Sequence, residues 1–337
     1  MINVLEFAKK ILSIPSPTGY SKEVIAHLED EVKSRGLKYS KNKKGNLIIE
    51  FPGKTDYVTA LSSHVDTLGA IVRSVNSNGT LKFSVLGGPQ LATYDGEYCT
   101  IITRDGKKFT GTFLSNAPSS HVYKDAANLP RNDENMHIRL DEVVKSKDDV
   151  SKIGIGTGDF IAVDPKTEIT ESGFIKSRFL DDKISVAILF GLIDHLLDNK
   201  IIPNNTLKFI ISTYEEMGHG ASNIPYADEM IAVDMGCIGQ DINCTEYDVS
   251  ICVKDSSGPY DFDLTNSLIN IAKNNKLNYA VDVYPFYGSD VSAALRGGND
   301  IKGALIGPGV AASHGMERTH KDAVEATLSL LITYVTK

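Results

Sequence analysis

Histidines and carboxylates recur in five short clusters along the chain, and together these side chains are the protein ligands of zinc, cobalt and manganese. The clusters are His64-Val65-Asp66, Asp181-Asp182, Glu215-Glu216, Asp234 and the segment 314–320. A carboxylate that bridges two metal ions, each completed by one histidine and one acid, needs two histidines and three acids. A further acid is needed as a base. The chain offers this inventory in the order His, Asp, Glu-Glu, Asp, His.

Each cluster also has a structural interpretation when it is considered alone. His64-Val65-Asp66 could be a polar loop after a strand, or Asp66 could hold the His64 ring, since residues i and i+2 share a face of an extended chain. Asp181-Asp182 could cap the helix that follows it. Glu215-Glu216 could be a solvated helix start, or one base and one metal ligand. A lone acid at a strand end, such as Asp234, is usually structural.

The elements that must position these clusters alternate between strand and helix outside one central stretch. Periodicity predicts helices at 1–12, 21–33, 186–197 and 263–275, and a C-terminal helix at 324–335. It predicts strands at 45–51, 57–65, 206–213, 230–234, 279–284 and 301–306. This alternation is typical of an α/β fold, here a mixed sheet covered by helices on both faces. The first four clusters then follow strands or begin a helix at the edge of the sheet where α/β proteins place their sites.

The stretch 73–169 has a different character, with short runs rich in Thr, Val, Ile, Gly and Lys. Asn78-Gly79 and Asp105-Gly106 are typical of β-hairpin turns. We therefore predict an all-β small-barrel domain at 73–169, inserted into a catalytic α/β domain formed by 1–72 and 170–337. Two domains are also the natural expectation for a chain of 337 residues.

Composition narrows the classes of function. The hydrophobic content of 42% and charged content of 23% are those of an ordinary globular protein. The formal charge of −8 argues against nucleic-acid and anionic-membrane partners. The longest apolar run, 186–197, is too short to span a bilayer, and the first twelve residues do not resemble a signal peptide. The four cysteines lack CxxC spacing, so we expect reduced thiols and a cytoplasmic protein.

The order of the clusters and the residues around them resemble one family over nearly the whole chain: the TET-type and glutamyl aminopeptidases, once also labelled cellulase M. The matching segments are Pro15-Ser16-Pro17-Thr18-Gly19-Tyr20, Ser63-His64-Val65-Asp66-Thr67-Leu68-Gly69, Phe179-Leu180-Asp181-Asp182-Lys183, Tyr214-Glu215-Glu216-Met217-Gly218, Val233-Asp234 and Gly288-Ser289-Asp290. Two segments depart from the family pattern. His219-Gly220 replaces a bulky apolar residue and Arg, and His314-Gly315-Met316-Glu317 replaces His-Ser-Pro followed by an acid.

The resemblance implies two divalent metal ions per subunit, expected to be zinc, with cobalt or manganese as alternatives. It implies that His64 and Asp234 bind one ion, that Glu216 and a C-terminal histidine bind the other, that Asp181 bridges them, that Glu215 is the general base and that Asp66 orients His64. It also implies a cis peptide bond after the bridging aspartate. Members of the family assemble through the β domain, so we expect a homo-oligomer, with a dodecamer as one form.

Two histidines compete for the place of the C-terminal ligand. His314 follows a predicted strand end at 305–309, as the other ligands follow strand ends, and Glu317 comes shortly after it. His320 lies two residues before Asp322, where the C-terminal helix is expected to begin. We predict that His314 is the metal ligand and that His320 packs at the helix start.

The resulting hypothesis is a metal-dependent aminopeptidase that removes N-terminal residues from peptides with a free N-terminus. A related dinuclear-metal amidohydrolase that deacylates amino acids is an alternative that the residues distinguish poorly. A glycosidase would need two carboxyl groups and no metal, which leaves the histidines without a purpose. A non-catalytic relative would be expected to lack the base or a ligand, whereas Glu215 and every candidate ligand are present.

Overall fold

The computed structural model describes residues 2–337, and the side chains from residue 4 onward. The chain divides into two compact units. The first comprises the chain up to Asp66 together with Lys166–Lys337, and the second comprises Thr67–Pro165. The limits lie a few residues before the predicted 73–169, because a strand of the second unit already begins at Gly69 and the strand Glu168–Ile169 pairs in the first unit.

Helices form largely where apolar periodicity predicts them. In the described residues they are α1 (Ile2–Leu12), α2 (Lys22–Ser34), α3 (Lys147–Ile153), α4 (Leu180–Asp198), α5 (Phe262–Asn274), α6 (Asp290–Arg296) and α7 (Lys321–Thr336). Within α4 the backbone of Asp181 and Asp182 is not helical, so the regular helix follows these two residues. Among the residues described, no helix is both long and apolar enough to cross a membrane.

The strands account for most of the remaining regular structure. They are β1 (Lys38–Lys41), β2 (Leu47–Phe51), β3 (Thr55–His64), β4 (Gly69–Val75), β5 (Leu81–Leu86), β6 (Tyr98–Ile102), β7 (Lys108–Ser115), β8 (Met136–Leu140), β9 (Phe160–Val163), β10 (Glu168–Ile169), β11 (Phe174–Ser177), β12 (Asn205–Ser212), β13 (Glu229–Val233), β14 (Gly236–Cys237), β15 (Val249–Asp255), β16 (Gly258–Pro259), β17 (Tyr279–Val283), β18 (Lys302–Val310) and β19 (Glu317–His320).

The first unit is built, within the described residues, on a ten-stranded mixed sheet with the order β1-β2-β12-β3-β13-β18-β15-β16, where β14 pairs with β18 and β17 with β15. Its centre, β12-β3-β13-β18, is parallel, while β2 and β15 join it antiparallel. A separate three-stranded sheet has the order β10-β11-β19. The predicted mixed α/β sheet is confirmed, and the carboxyl ends of the parallel strands share one edge.

Burial on both sides explains why the central strands carry apolar residues on both of their faces. On one face, alternate residues such as Ala60 and Met230 pack with Val291 and Ala294 of α6. The intervening residues, such as Ile231, are equally buried. Because side chains alternate along a strand, they point to the opposite face. Helix α4 packs against β3, β13 and β18, and its sides are apolar almost all round, as expected of a helix buried in a core.

The second unit contains a closed barrel with the order β4-β5-β8-β7-β6-β9. Both predicted hairpins are confirmed, since Val75 pairs with Leu81 around Asn78-Gly79, and Ile102 pairs with Lys108 around Asp105-Gly106. Phe83 and Phe113 meet edge to face in its interior, with ring centroids 5.1 Å apart. The helix α3 was not expected in this all-β stretch. Ser146 caps it, and its one buried residue is Val150.

Several elements were not predicted from the sequence, among them the short strands β1, β14 and β16, the strand β15 and the helix α6. Strand β15 carries polar residues among its apolar ones, and buried partners satisfy them: Ser250 bonds Asp282 and Tyr284. Helix α6 is only seven residues long, too short for periodicity to reveal, and Ser289 begins it with a reciprocal capping box.

Gly307 of β18 generates a first prediction, because a Cβ at this position would lie 1.8 Å from the carbonyl oxygen of Asp234. We expect Gly307→Ala to displace that strand end and to lower the free energy of unfolding by about 1–3 kcal/mol, the usual penalty for overpacking. Urea unfolding followed by circular dichroism measures it. Gly239→Ala is the matched control, because no atom of the described part of the chain lies within 4 Å of its added Cβ. Equal midpoints for the two variants would contradict the expectation.

Candidate metal centre

Three strand ends bring most of the predicted residues to one edge of the sheet. His64 is the last residue of β3, and it pairs in register with Ser212 at the end of the parallel strand β12. Glu215 and Glu216 follow in a short 3₁₀ turn, and Asp234 comes directly after β13. Because these strands are parallel neighbours, their carboxyl ends place the three clusters together.

Asp181 lies between His64 and His314. Its Oδ1 is 2.9 Å from Nε2 of His64, and its Oδ2 is 3.6 Å from Nε2 of His314. The peptide bond from Asp181 to Asp182 is cis, as the family resemblance implies. Each carboxylate oxygen therefore faces a different imidazole, which is the arrangement expected of a bridging ligand.

The donor atoms fit a metal ion in spacing and in chemistry. Ligand atoms of His64, Asp181 and Glu216 all lie within 4.8 Å of one another, and so do those of His64, Asp182 and Asp234. Nε2 of His314 is 3.8 Å from Oε2 of Glu216. Two ligand atoms on one tetrahedral ion with bonds of about 2.0–2.2 Å lie roughly 3.3–3.6 Å apart. The buried histidine and aspartate group is thus consistent with a metal site.

Asp66 orients His64 in a different way from the one expected. The atom nearest to Nδ1 of His64 is the main-chain carbonyl oxygen of Asp66, at 2.9 Å, whereas the Asp66 carboxylate is 3.7 Å away. The carboxylate instead accepts the backbone N–H groups of Glu215 and Glu216, at 3.1 and 3.3 Å. The fully buried Asp66 therefore holds the turn that carries the two glutamates as well as the His64 ring.

Asp182 and Glu317 are part of the site although the sequence did not single them out as functional. Oδ2 of Asp182 accepts hydrogen bonds from Oγ of Ser63 and the backbone N–H of His64, while its buried Oδ1 has no hydrogen-bond partner among the described residues. Glu317 accepts the backbone N–H groups of Asp181 and His314. The signals that could have found them were the second acid of Asp181-Asp182 and the acid three residues after His314.

Burial and mutual repulsion raise the pKa of many carboxyl groups here. Burial, reinforced by Asp234, raises the pKa of Asp182 and of Glu215 well above the ordinary range. Burial, reinforced by Asp181, does the same to Glu216, and raises the pKa of Asp234 to about 7 and that of Glu317 to about 8. Keeping these carboxyl groups ionised is therefore unfavourable unless positive charge lies close to them.

His64 and Asp181 show where that positive charge is favoured. Burial acts to lower the pKa of His64, but the bond to Asp181 and the charges of Glu215 and Asp234 outweigh it and raise the pKa. Burial acts to raise the pKa of Asp181, but its bonds to His314 and His64 outweigh it and hold the pKa below the ordinary value. A cation placed between these groups would relieve the repulsion among the acids.

A cavity of about 240 Å³ opens onto the site. It is lined by Asp181, Glu215, Glu216, Gly218, Asp234, Phe286, Tyr287, Gly288, Ser289, Arg296 and His314. The hydroxyl of Tyr287 donates to the carbonyl oxygen of Met235 at 3.2 Å, and Phe286 is 95% exposed. No motif or spacing in the sequence pointed to Phe286, Tyr287 or Arg296 as residues of the site.

The departure at His219-Gly220 has a structural explanation. The His219 ring stacks on Tyr214 with centroids 5.2 Å apart, beside the turn that carries the glutamates. A Cβ at Gly220 would lie 2.8 Å from the carbonyl oxygen of Thr213 and 3.0 Å from Oδ1 of Asp290. The loop therefore packs closely beneath the site, and a larger residue in place of Gly220 would require it to move.

His320 lies apart from the donor cluster and has structural partners. Its Nδ1 accepts the backbone N–H of Asp322 as the N-cap of α7, and its Nε2 donates to the carbonyl oxygen of Ser172. The ring also packs edge to face on Phe174. His314 instead lines the cavity with its side chain 37% exposed.

Comparison with known proteins gives this arrangement a family. The profile of the M42 glutamyl aminopeptidases matches residues 45–330. The Bacillus subtilis (strain 168) protein YhfE, whose name places it provisionally among the aminopeptidases, is 49% identical over 98% of this chain and 96% of its own length. The glutamyl aminopeptidase of Lactococcus lactis subsp. cremoris (strain MG1363) is 21% identical over 59% of this chain and 57% of its own. The chain therefore belongs to the M42 aminopeptidase family, a class of peptide hydrolases.

Solved structures share the fold. The Pyrococcus horikoshii TET1 peptidase superposes with a TM-score of 0.87 at 22% identity, covering 99% of each chain. The TET aminopeptidase of Thaumarchaeota archaeon SCGC AB-539-E09 superposes with a TM-score of 0.89 at 18% identity, covering 99% of this chain and 96% of that one. At such identities the likeness concerns the fold alone.

Substitution of His314 and substitution of His320 are expected to have different effects. We expect His314→Ala to bind fewer divalent ions per chain, because its imidazole faces Asp181 and Glu216. We expect His320→Ala to keep its ions and to lose about 0.5–2 kcal/mol of stability with the helix cap. Mass spectrometry of metal content and thermal unfolding measure the two effects. Ions lost from His320→Ala and retained in His314→Ala would reverse the assignment.

Proposed function

We propose that this protein is an aminopeptidase that hydrolyses the first peptide bond of peptides with a free N-terminus, using two divalent metal ions. The observation that supports it best is the position of Asp181, whose two carboxylate oxygens face two different imidazoles within a group of buried acids. A single histidine–aspartate pair would serve one ion. Two imidazoles on opposite oxygens of one carboxylate suit two.

The proposed ligand sets follow the geometry and the family resemblance together. His64 and Asp234 would hold one ion and Glu216 and His314 the other, with Asp181 shared between them. His64 and Asp234 have donor atoms within 4.8 Å of each other, as do Asp181 and Glu216. Zinc is the ion we favour, and cobalt or manganese would suit the same nitrogen and oxygen donors.

Glu215 is the proposed general base. Two ions held here would polarise the scissile carbonyl group and lower the pKa of a water molecule. Oε2 of Glu215 lies 3.8 Å from Nε2 of His64, at the wall of the cavity. Glu215 would take a proton from the attacking water and deliver it to the amine nitrogen as the C–N bond breaks. Asp66 keeps the carboxylate in place by accepting the Glu215 N–H group.

The substrate distinguishes the proposed aminopeptidase from the alternative deacylase. A peptide with a free N-terminus presents an amino group next to the scissile bond, to a cavity lined by Asp181, Glu215, Glu216 and Asp234. An acylated amino acid, the substrate of the alternative deacylase, lacks that free amino group. Hydrolysis of acyl-amino acids with no activity on aminoacyl-p-nitroanilides would therefore favour the alternative.

We further propose that the protein forms a homo-oligomer through the barrel unit and works in the cytoplasm. The Pyrococcus horikoshii TET1 peptidase can assemble into a tetrahedron or a large octahedral shell. On the barrel unit of this chain, Tyr98, Val122 and Val143 are 65%, 73% and 96% exposed, so the unit offers apolar side chains that the proposed interface would cover. Cys99, Cys237, Cys244 and Cys252 are free thiols, which suits a reducing compartment.

Glu215→Gln separates proton transfer from metal binding. We expect turnover of an aminoacyl-p-nitroanilide to fall about 10²–10⁴-fold, the usual contribution of a general base. We expect the metal content to stay unchanged, because Glu215 belongs to neither ligand set. The control is Glu216→Ala, which should lose metal as well as activity. Near-normal turnover by Glu215→Gln would remove Glu215 from the role of base.

Assembly has a separate test. Light scattering of the purified protein at micromolar concentration should give a mass several times the 36.6 kDa of one chain. A variant in which a short linker replaces residues 67–165 should remain monomeric, because it lacks the proposed interface. A monomeric full-length chain would refute the proposal, and full assembly of the shortened variant would locate the interface elsewhere.

A further inference from the structure

One buried side chain joins two of the proposed metal ligands through their backbones. Glu317, at the start of β19, is 2% exposed. Its Oε2 accepts the N–H of Asp181 at 3.1 Å, and its Oε1 accepts the N–H of His314 at 3.0 Å. Both carboxylate oxygens are therefore used, one on each ligand.

Neither of these two N–H groups lies in a regular helix or strand ladder. Asp181 has φ −72° and ψ 102°, outside the helical region, and the regular part of α4 begins after it. His314 has φ 62°, in the left-handed region that favours glycine and costs other residues about 1–2 kcal/mol. The side chain of Glu317 supplies one hydrogen-bond acceptor to each of these N–H groups.

Strand pairing brings Glu317 to this position. In the antiparallel pair of β11 and β19, Glu317 lies opposite Ser177, shortly before the segment that carries Asp181. On its other side, Ala311 bridges Arg318 and closes the loop that presents His314. Glu317 thus stands at the base of one ligand loop and beside the other.

A buried carboxylate at position 317 is energetically unfavourable unless its two hydrogen bonds compensate for the loss of hydration. A buried carboxylate beside the negative Asp181 is unfavourable, and an amide of the same shape would accept only one of the two N–H groups. The group that suits two converging N–H donors is a carboxylate. Space filling alone would not require two acceptor oxygens directed at the backbones of two ligands.

We propose that Glu317 is a positioning residue that sets the spacing between the Asp181 carboxylate and the His314 imidazole, and through it the affinity for the ion held by His314. This role rests on the two-ion function proposed above. Glu317 does not line the cavity, and it acts through the backbone N–H groups of the two ligands.

The test measures metal affinity rather than turnover. Chelator-treated wild-type and Glu317→Gln protein are titrated with Zn²⁺ against a chromophoric competitor, and with Co²⁺ followed by visible absorption. We expect the wild type to bind two ions. We expect Glu317→Gln to bind the weaker of its two ions about 10–100-fold less tightly than the wild type, as for other residues that orient ligands. The absorption spectrum of the second Co²⁺ should change.

Glu229→Gln is the matched control. Glu229 is also buried and accepts hydrogen bonds from Thr59, Tyr57 and Tyr334, but it begins β13 at the end opposite to Asp234. This variant should lose stability and keep both metal affinities. Thermal unfolding of both variants separates a general loss of stability from a loss of metal binding.

Glu317→Asp is the second variant, because it keeps the charge and shortens the reach by one methylene. We expect Glu317→Asp to weaken the binding of the same ion, since the shorter side chain cannot reach both the Asp181 and the His314 N–H groups. Wild-type affinity in Glu317→Gln or in Glu317→Asp would overturn the positioning role while leaving two-ion binding intact. A wild-type protein that bound no divalent ion would overturn both this role and the proposed function.

Discussion

The crowding of buried carboxyl groups at the carboxyl edge of the central sheet is the constraint on which the rest of the structure depends. Burial raises the pKa of Asp182, Glu215 and Glu216, and each is raised further by a neighbouring acid. A fold that gathers acids in this way is destabilised unless a cation compensates their charge. The stability and the chemistry of this edge are therefore linked, because the same positive charge that would relieve the repulsion would activate a substrate.

The parallel strands supply the gathering, and hydrogen bonds from the backbone supply the fine placement. The register of β3 with β12 sets His64 beside the start of the glutamate turn. Two backbone N–H groups of that turn donate hydrogen bonds to the Asp66 carboxylate. The N–H groups of Asp181 and His314 donate to the Glu317 carboxylate in the same way. Carboxylates thus perform two different tasks here: some face the cavity, and others orient the residues that do.

Close packing beneath the site leaves little freedom for this edge to rearrange. A Cβ added at Gly307 would collide with the carbonyl oxygen of Asp234, and one added at Gly220 would collide with that of Thr213. Ser212 donates to the buried Asp290 at 2.6 Å, which ties the end of β12 to the start of α6. A preorganised site of this kind needs small residues at specific places, and these glycines are part of the site as much as its ligands are.

The sequence by itself determined the mixed α/β fold and the two barrel hairpins, because apolar periodicity and turn residues are local signals that survive without tertiary contacts. It also placed His64, Glu215, Glu216 and Asp234 at strand ends, since each follows an apolar run. Only the tertiary structure decided that the Asp66 carboxylate holds the glutamate turn rather than the His64 ring. It alone brought Glu317 to Asp181, because that contact depends on the pairing of β11 with β19 and no local pattern records which strands pair.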